Sequence, residues 1–145
     1  MLPHKHVLIS LAAGAAGWRL TGERGAVIAA VVAGVLPDLD HIVDYAYYSL
    51  RGDHKLILLL HGYEYVLLGA AIALSTNNRS LGVALFSYLV HLAVDQMENR
   101  TYWWGYSLLL RAYHKFRIED ISTVPVAAMQ GRIDDMQRLG GLFAR

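Results

Sequence analysis

Four apolar runs alternate with polar breaks along the chain. They cover roughly His6–Leu20, then Gly25–Leu36 up to Pro37, then Leu56–Leu74 with His61 and Glu64 inside it, and Leu81–Met97 with His91 and Asp95 inside it. The breaks are RLTGERG, the longer 37–55 stretch and STNNRS, rich in the Gly, Ser, Thr and Asn of turns. The runs are too long for strands and rich in Ala and Leu, so they predict helices. Small residues recur every four positions: Ser10 and Gly14, Ala13 and Gly17, Ala26, Ala30 and Gly34, Gly69 and Ala73. That spacing lets helix backbones approach closely, as in membrane bundles; Ala-rich packing in a soluble bundle is the plainer alternative.

Beyond Glu98 the pattern changes. Tyr102, Trp103, Trp104 and Tyr106 precede Arg111, Lys115 and Arg117. Rings beside basic groups suit a membrane interface, with a packed aromatic core as the alternative. The last run reads as an amphipathic helix capped by Ser122 or Thr123, with Pro125 in its first turn and Gly140 at its end. Val126, Met129, Ile133, Met136 and Leu139 share one face. The fold expected is all-α. It is an antiparallel four-helix membrane bundle over 1–98, followed by an interfacial segment and tail helix over 99–145, in one domain.

Composition strengthens the membrane reading. The chain is 55% hydrophobic and 17% charged, against about 25% charged in ordinary soluble domains. A span needs about 20 apolar residues. The third and fourth runs come close, while the second offers about 18 Å of helix before Pro37. The N-terminal MLPHKHVLISLAAGAAGW resembles a short signal sequence but has little charge ahead of its apolar run, and is read as a retained first helix. A net charge of +1 gives no basis for nucleic-acid binding. With no cysteine, disulfides and thiolate metal sites are excluded, and any ion would be held by His, Asp and Glu.

Placing the ionisable residues on an up-down-up-down bundle gathers them at one end. His4 and His6 start the first helix. Asp38, Asp40, His41 and Asp44 end the second, entering from a bend at Pro37. His61 and Glu64 start the third, and His91 and Asp95 end the fourth. His91 and Asp95 are one helical turn apart, as are His61 and Glu64. Helix bundles build metal sites from such pairs on facing helices. Taken singly, each of these residues has a bland reading as a satisfied core histidine or a solvated cap, and Asp53, His54 and His114 are assigned that reading. The set together carries excess carboxylate with little Lys or Arg nearby, which points to a cation. One or two divalent ions fit, zinc or manganese first and iron also compatible. Lys5, Arg51, Lys55 and Arg100 lie at the site end against Arg19, Arg24 and Arg79 at the other. The positive-inside rule then puts the site and both termini on the cytoplasmic face of the inner membrane.

The opening His, LPDLDH, a His in the third helix and HLAVD together resemble the membrane-bound, metal-dependent hydrolases described as LexA-binding and inner-membrane-associated. The resemblance covers roughly residues 4–98. It implies a multi-helix inner-membrane hydrolase with His6, Asp38, Asp40, His41, His91 and Asp95 at the metal. Many members carry H-R-G-x-T-H-S in the third block, where this chain has HGYEY, so His61 keeps one ligand position and Glu64 stands in for the other. The HLAVD helix is also similar, more weakly, to the metal-site pattern of zinc-dependent phospholipase C.

The expected reaction is hydrolysis of a phosphoester, on a small-molecule or lipid-like substrate. The metal would activate water, Glu64 or Asp44 would act as base, and Arg111 would contact phosphate if the aromatic segment folds back. Two other readings stay open: a non-catalytic membrane metal-binding or transport protein, and a membrane interaction protein. The apolar far ends of the helices argue against transport.

Overall fold

The computed structural model describes residues 3–143. They form α1 (Pro3–Thr21), α2 (Gly25–Val35), a 3-10 turn (Leu36–Leu39), α3 (Asp40–Arg51), α4 (Tyr63–Thr76), α5 (Arg79–Glu98), α6 (Leu108–Tyr113), α7 (Ile118–Ile121) and α8 (Pro125–Phe143). The only β-type pairings among the described residues are isolated bridges, Lys55 with Arg117 and Thr101 with Ser122.

α1, α2 and α5 pack against one another, while α4 leans mainly on α5. This is an all-helical fold, but its centre is a three-helix unit with α4 as a flank, rather than four equivalent helices. Small residues make the close approaches. A Cβ at Gly17 would fall onto Val83 of α5, and one at Gly34 onto the hydroxyls of Ser10 and Ser87. Ala26 and Ala30 are fully buried in the same seam. The four-residue repeat is thus the line along which α2 meets α1 and α5.

As expected, Pro37 follows the end of regular α2, which stops at Val35. It sits at the start of the 3-10 turn, where a missing N–H costs little, and the chain continues into α3. The stretch Gly25–Arg51 and helix α5 are both long and apolar enough to cross a bilayer. Ile28, Val32, Leu67, Leu74 and Phe86 present exposed apolar side chains on the outer faces.

The third apolar run is helical only from Tyr63. The 3.6-residue pattern fails over 56–62 because its amides find tertiary acceptors. The Leu56 amide donates to the Phe116 carbonyl at 2.7 Å, and the Tyr63 amide donates to the Tyr106 carbonyl at 2.9 Å. The Ile57 amide donates to Asp44 at 2.7 Å and the Leu60 amide to Asp40 at 2.7 Å. Satisfying those buried carboxylates outweighs an extra helical turn.

The aromatic segment folds back over the same end of the molecule. The Tyr102 amide donates to the Ile121 carbonyl at 3.0 Å. Trp103 is exposed, while Tyr106 is buried, so the packed-core reading holds for Tyr106. Helix α8 runs past Gly140 to Phe143. Val126, on the expected inner face, is 81% exposed. Leu139 is exposed as well; Met129, Ile133 and Met136 of that face are partly buried, and the buried Arg132 joins them.

Candidate metal centre

His6 reaches inward from the first turns of α1, and its Nε2 lies 3.1 Å from Asp95 Oδ1. His91, one turn before Asp95 on α5, stacks on His6 with ring centroids 3.9 Å apart. Its Nδ1 lies 2.9 Å from the Gly34 carbonyl. A carbonyl only accepts, so Nδ1 carries the proton and Nε2 presents a lone pair. That lone pair faces His61 Nε2 at 3.0 Å, Asp95 Oδ2 at 3.5 Å and Asp38 Oδ1 at 3.8 Å.

His61 mirrors this arrangement. Its Nδ1 is 3.1 Å from the Asp40 carboxylate and its Nε2 is 3.3 Å from Asp95 Oδ2. A carboxylate on Nδ1 fixes that proton too. With both rings neutral, two imidazole lone pairs would meet at 3.0 Å, an arrangement that needs a cation between them. Protonation of His61 is one answer. Burial opposes it, but hydrogen bonds to Asp40 and Asp95 outweigh burial and raise its pKa. A divalent ion is the other, and the carboxylates favour it. Asp38 Oδ2 is buried without a hydrogen-bond partner among the described residues.

Two sets of side chains bring one ligand atom each within 4.8 Å of one another: His6, Asp38, His91 and Asp95, and Asp38, His41, His61 and Asp95. Both are His2Asp2 sets, suited to zinc, manganese or iron. Asp38 and Asp95 belong to both. Asp40, expected as a direct ligand, belongs to neither set; its carboxylate orients His61 and anchors the Leu60 amide.

Three other expectations fall elsewhere. Glu64 turns away from the cluster and accepts from Ser107 Oγ at 2.6 Å and from the Leu108 and Leu109 amides at 2.9 and 3.1 Å. It caps α6, so neither the ligand nor the base role suits it. Asp44 is buried one turn beyond Asp40, accepting from Ile57 and from Arg132 of α8. Both of its oxygens are engaged, Oδ1 by the Ile57 amide and Oδ2 by Arg132, so its observed part is to tie α3 to the 52–62 segment and α8. Arg111 is fully buried and donates to the His61 carbonyl, propping the loop behind that ligand rather than reaching a cavity. Burial pulls its pKa down.

Some contributors escaped the sequence reading, and their signal was spacing. Ser10 follows His6 by one turn, Gly34 precedes Asp38 by one turn, and Ser87 precedes His91 by one turn. Ser87 Oγ donates to the Ala30 carbonyl at 2.8 Å. Tyr88 ties the loop to α5: its hydroxyl donates to the Leu60 carbonyl at 2.7 Å and accepts from the Gly62 amide at 2.9 Å. Arg132 also falls on the apolar face, three residues after Met129 and four before Met136, but its partner Asp44 lies 88 residues away.

A cavity of about 480 Å³ adjoins the cluster through His41. Leu58, Tyr106 and Ile121 form apolar parts of its lining, with Asn99, Arg100 and Arg132 among its polar groups. No protein-family model, curated protein or solved structure matches the chain.

Proposed function

We propose that the protein is a membrane-bound, metal-dependent hydrolase acting on a phosphoester, with a lipid-like or small-molecule substrate. The observation that carries this reading is the approach of His61 and His91 through their Nε2 atoms at 3.0 Å, beside Asp38 and Asp95. One or two divalent ions, zinc or manganese ahead of iron, would be held by His6, Asp38, His41, His61, His91 and Asp95. Such an ion supplies Lewis acidity toward a phosphoryl oxygen and an activated water at neutral pH. The chain's own part is to hold those ligands rigid. The Gly34 carbonyl and Asp40 fix the two ring tautomers, Arg111 braces the His61 loop, and the adjoining cavity offers Arg100 and Asn99 to an anionic group.

Charge and apolar length support the proposed location. The two candidate spans support a membrane protein. Lys5, Arg51, Lys55 and Arg100 at the site end favour an inner-membrane orientation with the site toward the cytoplasm. The motif resemblance to inner-membrane hydrolases supports the same reaction class.

Elemental analysis of protein purified in detergent tests the first step, and hydrolysis of bis(4-nitrophenyl) phosphate the second. At least one equivalent of zinc or manganese is expected per chain, with metal and hydrolysis both lost in a His91→Ala, Asp95→Ala double variant. Metal at well below one equivalent, unchanged in that variant, would overturn the proposal.

A further inference from the structure

The cavity of about 480 Å³ opens directly on the ligand layer, because His41 belongs both to its lining and to one of the two His2Asp2 sets. Asn99, one helical turn after Asp95, and Arg100 line it beside that layer. Much of the remaining lining is apolar. Leu58, Tyr106, Ile118 and Ile121 are at most 3% exposed and form its floor. The volume lies within the range of about 300–1,000 Å³ that takes compact organic ligands.

Helix α8 supplies a wall. Ala127, Ala128, Gly131 and Asp135 all line the cavity, and their spacing of three and four residues puts them on one face of the helix. The space exists because that face is small: a Cβ at Gly131 would meet no atom within 4 Å. The wall is tied to α3, where Arg132 pairs with Asp44 and Tyr45 donates to Asp135 at 3.3 Å. The cover over this cavity is therefore part of the chain itself.

The rim is polar. Glu98, Asn99, Arg100 and Asp135 are the exposed polar residues of the lining. The candidate span α5 contributes only its last residue, Glu98, and the lining continues into the chain beyond it. An acyl chain leaving the cavity would cross these charged groups, at a desolvation cost that a ligand arriving from water avoids.

Resting on the hydrolase reading, we infer that this cavity takes the apolar organic group of a compact, water-soluble phosphoester, such as an aryl ester, and that the small-residue face of α8 sets its size limit. The phosphoryl group lies between the His41 side of the ligand layer and Arg100, with the organic group against Leu58, Ile118 and Ile121. Ala128 and Gly131 are then specificity-determining residues. A larger side chain at either one removes space from the organic group and leaves the ligand layer untouched.

Calorimetry with non-hydrolysable phosphonates tests this without turnover. Zinc-loaded protein in dodecyl maltoside is titrated with 1-naphthylphosphonate, methylphosphonate and dodecylphosphonate, the last corrected for its partition into micelles. 1-Naphthylphosphonate should bind at least about tenfold more tightly than methylphosphonate. Gly131→Leu should weaken 1-naphthylphosphonate about tenfold while leaving methylphosphonate affinity and bound zinc unchanged. Leucine is a better helix former than glycine, so this variant should fold, and Ala128→Leu probes the same wall independently. Equal affinity for the aryl and methyl compounds, or 1-naphthylphosphonate binding unchanged in both variants, would overturn the inference. So would tighter binding of dodecylphosphonate than of the aryl compound, which would put entry on the lipid side. Aryl binding that responds to Gly131→Leu in a protein that hydrolyses no phosphoester would instead keep the cavity assignment and remove the hydrolase reading.

Discussion

At the residue scale, tautomer control separates the roles of the site's polar groups. Asp40→Asn keeps a side chain of the same shape but weakens the acceptor that holds the His61 Nδ1 proton. A fall of about 10–100-fold in zinc affinity is expected, as for other outer supports of a metal-bound histidine, measured by competition with a chromogenic chelator. His91→Ala removes a ligand outright and should reduce bound metal per chain. Gly34→Ala tests the seam. Its methyl would collide with Ser10 and Ser87, and overpacking of this kind costs about 1–3 kcal/mol. The loss should appear in SDS or thermal unfolding and be partly restored by adding Ser10→Ala and Ser87→Ala. Most of this cluster was legible in the sequence, because His6, Asp38, His41, His91 and Asp95 fall at one end of regular helices. The division between ligands and supports was not, because it depends on which oxygen or nitrogen a loop amide has already claimed.

At the scale of elements, the informative piece is α8. Arg132 donates to both Asp44 and the Lys55 carbonyl, and Tyr45 donates to Asp135 at 3.3 Å, so α3 and the 52–62 segment hold the tail helix. Truncating one partner of a buried ion pair typically costs about 3–5 kcal/mol, since the other charge is left behind. Arg132→Ala should therefore speed amide exchange in α8 and around Ile57 while bound metal stays at the wild-type level. Hydrogen exchange read by mass spectrometry checks both segments at once. Amphipathic spacing was enough to foresee the helix, but not its docking. A period of 3.6 places Arg132 beside Met129 and Met136, but a charged side chain there reads as solvent-reaching, and only the tertiary position of Asp44 supplies the partner that holds it inside. The same limit explains residues 56–62, whose apolar pattern is helical but whose amides are spoken for by Asp40, Asp44 and Tyr88.

At the scale of the molecule, a proton and a bound metal ion would compete for one His/Asp layer. The folded pKa of His61 lies above its unfolded value. Its contribution to the metal-free protein is therefore fully present below about pH 6.5 and is lost as pH rises through the folded pKa. A divalent ion works in the opposite direction, because its imidazole ligands must be neutral. Metal-free protein should lose stability as pH rises through that range, and the stabilisation gained on adding zinc should grow over the same interval. Thermal unfolding at several pH values, with and without zinc, checks both slopes.

The acceptor that sets the His91 tautomer is a main-chain carbonyl, at Gly34. No substitution at position 34 deletes that oxygen; a larger side chain can only displace it by forcing α2 away from Ser10 and Ser87. Among homologues, selection acting on this metal contact would therefore be recorded as a ceiling on side-chain volume in one alignment column, with no chemical signature of its own. A search for conserved ligands would pass over it, although changing it would move one of the ligands.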